Sequence, residues 1–268
     1  MGDLNRNDDK LQAQEIRVRD ANGQEKQHGK VYRWLDNFWY HHKWKTIISL
    51  FLVLAILVCT LQMCTKEDPG DLSVVIAGSY NPAQSEAAFI ALRGALSSYI
   101  PEDYDKNGEL RADLVYYTIY SEQQIKDFAK QVDENGDPAP VYVDTAFNAN
   151  EYKSYNDYMM TGESSIVFME RWIFDSTTEK NASLLVDIVA KYGVEPQGAV
   201  YVTDESGNRV CCGVRLGDTE LYKNNAAIRV LPEDTVLALY APLVLGKSGK
   251  TREYQKVLDT YAAFVGLN

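Results

Sequence analysis

The sequence predicts an α/β protein: a single transmembrane helix followed by an extracytoplasmic three-layer domain with a mixed, mostly parallel sheet. Three observations predict it. Thr46 to Met63 is a run of eighteen residues without a charge, about 27 Å of helix at ~1.5 Å per residue and close to a bilayer's hydrocarbon thickness. Short apolar, β-branched runs then alternate with helical periodicity, the pattern of strands covered on both faces by crossover helices. About 200 residues follow the apolar run, enough for one domain with an ample core.

Residues 1–30 are polar and poor in apolar side chains, and predict a disordered cytoplasmic tail. Residues 31–45 predict an amphipathic aromatic juxtamembrane segment. Trp34, Trp39 and Trp44 suit the headgroup layer, and Val31, Trp34, Leu35, Phe38 and His42 recur at helical spacing. His41 and His42 are adjacent, point to different helix faces and chelate poorly. Residues 46–64 predict the transmembrane helix, because a helix satisfies its own backbone in lipid. Residues 65–71 read as a polar linker holding Pro69 and Gly70.

Lys30, Arg33, Lys43 and Lys45 precede the span, whereas Lys66, Glu67, Asp68 and Asp71 follow it. Positive residues stay inside, so the N-terminus is expected in the cytoplasm and the domain outside the cell membrane. A polar stretch of this length before the apolar run reads as an uncleaved signal anchor. Val58 and Met63, which are not small, precede Cys59 and Cys64 and argue against lipidation there.

Residues 72–268 predict the α/β domain. DLSVVIAG (71–78) reads as a buried strand, and residues 83–99 as an amphipathic helix. LRADLVYYTIY (110–120) is a second strand. Ser121 starts a helix to about residue 132, with Gln124 completing a capping-box pattern. Residues 133–140 are turn-rich, 141–144 a short strand candidate, and 148–161 a third helix. SSIVFMERWIF (164–174) reads as another strand and residues 181–192 as helix. GAVYVTD (198–204) and RVCCGVRL (209–216) flank a hairpin turn. TVLALYAPLVLG (235–246) is a further strand, and residues 250–265 a closing helix.

The order DLSVVIAG, helix, LRADLVYYTI, helix, then YNDYMMTGESSIVFME resembles one lobe of a bacterial type II extracellular solute-binding protein. The pair TVLALYAPLVLG and EYQKVLDTYAAFVG is similar to that lobe's returning strand and helix. The resemblance implies a ligand cleft where a helix passes through a glycine turn into a strand. The chain is much shorter than the two-lobed members of that family.

Charge and composition narrow the chemistry. Residues 1–65 hold nine basic and seven acidic residues, and the remainder 18 basic and 31 acidic. A domain of net −13 does not bind nucleic acid through its general field. All three histidines, His28, His41 and His42, precede the span. The domain therefore lacks the imidazole of Ser-His-Asp and Cys-His hydrolases and of nearly all catalytic zinc sites. Glu163, Glu170 and Asp175 are the carboxylates a glycoside hydrolase would use.

DYDKNGEL (103–110) matches the opening of an EF-hand calcium loop. Asp103, Asp105, Asn107, the Glu109 carbonyl and Asp113 are the candidate Ca²⁺ ligands, and Leu114 stands where the last carboxylate belongs. An ordinary Asp/Asn/Gly turn is the alternative. Tyr116, Tyr120, Tyr155, Tyr158 and Trp172 are candidates for a binding surface, because such rings offer rigid amphipathic area. Cys211 and Cys212 are neighbours on a strand, so their side chains should face opposite ways and stay unbonded. The expectation is a non-enzymatic recognition or accessory module in an envelope or transporter complex. Its partners are the lipid bilayer and a membrane or envelope protein. A small-solute receptor and an envelope hydrolase are the alternatives.

Overall fold

The computed structural model describes residues 30–64, 70–243 and 251–267. The predicted tail (1–30) lies almost wholly outside the described residues, as do most of the linker and residues 244–250. The chain divides into two compact units, Met1–Asp68 and Pro69–Asn268.

The first unit contributes one helix, α1 (Lys30–Cys64), of 35 residues. The juxtamembrane segment and the predicted span are thus one unbroken helix, about 52 Å long at ~1.5 Å per residue. Its stretch Phe38–Leu61, 24 residues, is long and apolar enough to cross a membrane. Trp34, Phe38 and His42 stack along one side, with successive ring centroids 5.6 and 5.1 Å apart. Thr60 returns its hydroxyl to the carbonyls of Ile56 and Leu57, which hides a polar group within the helix.

The second unit is an α/β domain. Its elements are β1 (Leu72–Gly78), α2 (Glu86–Ser97), β2 (Ala112–Thr118), α3 (Glu122–Phe128), α4 (Thr145–Thr161), β3 (Ile166–Met169), α5 (Arg171–Asn181) and α6 (Ile188–Tyr192). They are followed by β4 (Ala199–Thr203), β5 (Arg209–Arg215), α7 (Glu220–Asn224), β6 (Val236–Leu239) and α8 (Thr251–Val265). The strand order is β2-β1-β3-β6-β5-β4.

The sheet is mixed, but not mostly parallel. β1 pairs in parallel with β2 and β3, whereas β3–β6, β6–β5 and β5–β4 are antiparallel. The cause is local. The β4–β5 hairpin turns at Ser206-Gly207, with Gly207 at φ +82, and β6 then returns beside β3 without a parallel crossover.

Alternation along the central strands makes two cores. Val74, Ile76 and Phe168 face Leu92 and Leu96 of α2 and Tyr261 and Phe264 of α8. Val75, Ala77, Val167 and Met169 face Tyr155 and Met159 of α4 and Ile173 and Phe174 of α5. Helices on both sides explain why β1 and β3 are apolar on both faces. Ser97 ties α2 to the sheet: its hydroxyl donates to Arg93 O and accepts from Ala112 N at 2.9 Å.

Several boundaries differ from the sequence reading. The strand expected over 164–174 stops at Met169, because Arg171 opens α5 and turns Ile173, Phe174 and Thr177 inward at helical spacing. VYVD (141–144) is not a strand. Asp144 instead caps α4, accepting from Ala146 N and Phe147 N, so that helix starts before residue 148. The helix expected to reach 132 ends at Phe128. The 181–192 helix is a single 3₁₀ turn followed by the five residues of α6.

Gly213 marks the closest packing between β5 and its neighbours. A Cβ there would stand 2.5 Å from Val236 Cγ1 and 3.0 Å from the Phe174 ring. Gly213→Ala is expected to destabilise the domain by about 1–3 kcal/mol through overpacking. Urea denaturation of the whole chain in detergent measures this, and an unchanged midpoint would contradict the packing.

Candidate functional site

In an open α/β sheet, ligands bind beyond the carboxyl ends of strands, where the strand order reverses. Here β1 continues to β2 on one side and the chain then crosses to β3 on the other. The reversal lies between the ends of β1 and β3, at Gly78-Ser79 and Glu170.

The chain's own groups fill that point. The Glu170 carboxylate accepts from Ser79 N at 2.7 Å and from the Ser79 hydroxyl through one oxygen. Through the other it accepts from Gln124 Nε2 at 3.1 Å and Trp172 Nε1 at 2.8 Å. Gln124 is held by the predicted capping box: its Oε1 accepts from Ser121 N, and Ser121 Oγ accepts from Gln124 N. Gly78 makes room, since a Cβ there would stand 2.6 Å from Glu170 Cγ. One side chain thus joins the ends of β1 and β3 to the first turns of α3 and α5.

The three candidate hydrolase carboxylates do not converge. Glu163 precedes β3 and Glu170 follows it, so they stand at opposite ends of that strand. Asp175 pairs with Arg171 on α5 at 2.8 Å.

Beside the switch point, residues 129–144 form an arm between α3 and α4. It begins next to Tyr120, whose ring stands edge-on to Phe128 and whose N–H and C=O both bond the Asn148 amide. Ala139 N donates to Gln131 O and Val141 N to Phe128 O, and Val132 bridges Pro138. Asp133 closes the tip, accepting from Asn135 N at 2.8 Å and Asp137 N at 2.9 Å. Those amides hold its carboxyl below the usual range, the Asp137 N–H most of all. Four large apolar side chains nevertheless face outward on the arm and the first turn of α4: Val132 (60%), Val141 (50%), Tyr142 (83%) and Phe147 (61%). Asp133, Glu134, Asp137 and Asp144 lie among them in the sequence, with Lys130 the basic residue of the arm.

The acidic turn lies at the opposite end of the sheet. Asp103 accepts from Lys106 N and Gly108 N, and Asp105 accepts from Asn107 N and Nδ2. Asp71, which the sequence reading left in the linker and first strand, joins them and accepts from Tyr104 N, Asp105 N and Arg111 N. Oxygens of Asp71, Asp103 and Asp105 lie within 4.8 Å of one another, close enough to share a metal ion. The surrounding N–H groups let three like charges sit together. The Gly108 N–H leads in holding the Asp103 carboxyl below its usual range. The Asn107 N–H pulls Asp105 down, but local desolvation and the carboxylates of Asp103 and Asp71 outweigh it and raise that group.

Two of the other proposed calcium ligands, Asp113 and Asn107, are engaged elsewhere. Asp113 accepts from Gly70 N at 2.6 Å and pairs with Arg111 at 3.3 Å. Asn107 Oδ1 accepts from Glu109 N at 2.8 Å, and the Glu109 side chain is exposed.

The tyrosine surface is corrected most. Tyr155 is fully buried and meets the Tyr240 hydroxyl at 3.2 Å. Residues 155 and 159 of α4 are one helical turn apart, so both turn to the sheet. Tyr158 is half-buried against Ser73, and Tyr120 against Phe128. Trp172 is half-buried with its indole N–H on Glu170. Tyr116 keeps an exposed edge against Phe89. Cys211 and Cys212 belong to the two opposite cores as free thiols, and burial pushes them up to about 11 and about 12. Neither is a thiolate at neutral pH.

No protein-family model, curated protein or solved structure matches the chain.

Two results are expected. Glu170→Ala strands the donors of Ser79, Gln124 and Trp172, and should cost about 2–3 kcal/mol of stability in denaturant titration. A loss too small to detect would show that the carboxylate does not hold the strand ends. Asp133, with a depressed folded pKa, supports the arm above its unfolded value, and that support is lost as pH falls through the folded value. The Asn135 and Asp137 amide shifts should titrate together with a midpoint below about 3.9. A midpoint at or above that value would contradict the arm's geometry.

Proposed function

We propose that this chain is a single-pass, membrane-anchored recognition or accessory module. Its N-terminus is cytoplasmic and its α/β domain extracytoplasmic, and it binds a protein partner in the membrane or envelope without catalysing a reaction on it. The observation that carries this reading is the arm at residues 129–144 together with the start of α4. Exposed Val132, Val141, Tyr142 and Phe147 stand on a backbone fixed by its own hydrogen bonds. Holding apolar side chains in water costs solvation free energy and contributes nothing to either core. Large apolar side chains held exposed close together in the chain, beside charged ones, suit a protein-binding surface. A preformed backbone also lowers the ordering cost of binding.

The neighbouring charges suggest the partner's chemistry. Four acidic residues lie among the apolar ones along this segment, so a complementary surface would carry basic as well as apolar groups. Polar groups at the switch point are already bonded to one another through Glu170, which leaves the arm as the better-presented feature of that end of the sheet.

Site-specific photo-crosslinking in intact membranes tests the reading. A photoreactive residue in place of Tyr142 should give a discrete adduct with a second protein. The same group in place of Glu205, exposed on the β4–β5 turn, should not. Equal labelling from both positions, or none from position 142, would contradict the proposal.

A further inference from the structure

The amino ends of β1 and β2 and the residues leading into β3 border a cavity of about 460 Å³, within the size range of small-molecule pockets. Its charged lining is mostly acidic: the carboxylates of Asp71, Asp105, Asp113 and Glu163 line it, with the ammonium of Lys256. The wall also accepts an alkylammonium already, since Lys256 Nζ stands 4.9 Å from the centre of the Tyr104 ring.

A buried hydroxyl borders the same space. Ser165, 2% exposed, lines the same cavity, and its hydroxyl has no hydrogen-bond partner among the described residues. Its backbone carbonyl pairs with Tyr240 N as an extension of β3. Strand alternation therefore puts its side chain on the Val167 side, where Tyr158 of α4 forms another part of the cavity wall. A buried hydroxyl left unpaired costs free energy that a ligand N–H would recover.

We propose that this cavity binds a small organic cation with a primary ammonium group, of the alkyl diamine or polyamine class. The ammonium donates an N–H to Ser165 Oγ, its charge is balanced by the surrounding carboxylates, and its methylene stem lies against the tyrosine rings. A quaternary ammonium has no N–H for Ser165, and a bare metal ion has no use for the apolar wall. This site lies at the end of the sheet away from the arm, and stands or falls separately from the docking reading.

Calorimetric titration of putrescine into the full chain tests it, in phosphatidylcholine nanodiscs with EDTA present so that no divalent ion competes for Asp71 and Asp105. Saturable binding is expected, with none for butanediol, the uncharged diol of equal length. Ser165→Ala removes only an unpaired group and should weaken binding about tenfold. Glu163→Gln removes a charge from the lining and should weaken it as well. No saturable putrescine binding, equal binding of butanediol, or unchanged affinity in both variants would overturn the proposal.

Discussion

A strand that is apolar on both faces cannot stay against water on either. β1 is such a strand: Val74 and Ile76 belong to one core and Val75 and Ala77 to the other, and all four are buried. β3 repeats the pattern at its centre. Two covering layers of helix follow, and the remaining strands take their places around that central pair. Even the cysteines obey the same alternation, since Cys211 and Cys212 are divided between the two cores.

With both faces covered, the ends of the sheet are left for chemistry, and they differ. At the carboxyl ends, Glu170 binds Ser79, Gln124 and Trp172 and closes the position where a doubly wound sheet commonly takes a ligand. The arm built beside it holds large apolar side chains exposed. At the amino ends, carboxylates gather around the 103–108 turn and around a cavity. The acidic balance of the domain is therefore local as well as general, and both proposed sites favour positively charged binders.

Features set by local periodicity were legible in the sequence. The apolar helix, the first strand, the α3 capping box, the β4–β5 hairpin and the opposed cysteines all depend on neighbours within a turn or a strand. Features set by tertiary pairing were not. No sequence signal told that β6 would return antiparallel to β3, so parallel pairing was over-expected. SSIVFMERWIF reads as one apolar run, and only the inward spacing of Ile173, Phe174 and Thr177 marks where the strand becomes helix. Tyr155 reads as surface from the sequence because tyrosine suits half-buried and exposed positions alike. Asp71 lies 32 residues from Asp103 in the chain, and only the pairing of β1 with β2 brings it to the acidic turn. Tyr142 and Phe147 were hidden in a segment whose VYV looked like a strand; the Asp144 cap before an alanine was the available clue.

The central claim is that the arm stands exposed on the outer side of the membrane. A membrane-impermeant maleimide applied to intact cells tests it most directly, with Tyr142→Cys compared against the native chain. With Cys59 and Cys64 replaced by alanine in both, the buried thiols of Cys211 and Cys212 should stay silent, which keeps the background low. The expected result is prompt labelling of the variant alone, before any lysis. Labelling that appears only after the cells are opened would contradict the sidedness, and none even then would contradict the exposure of the arm.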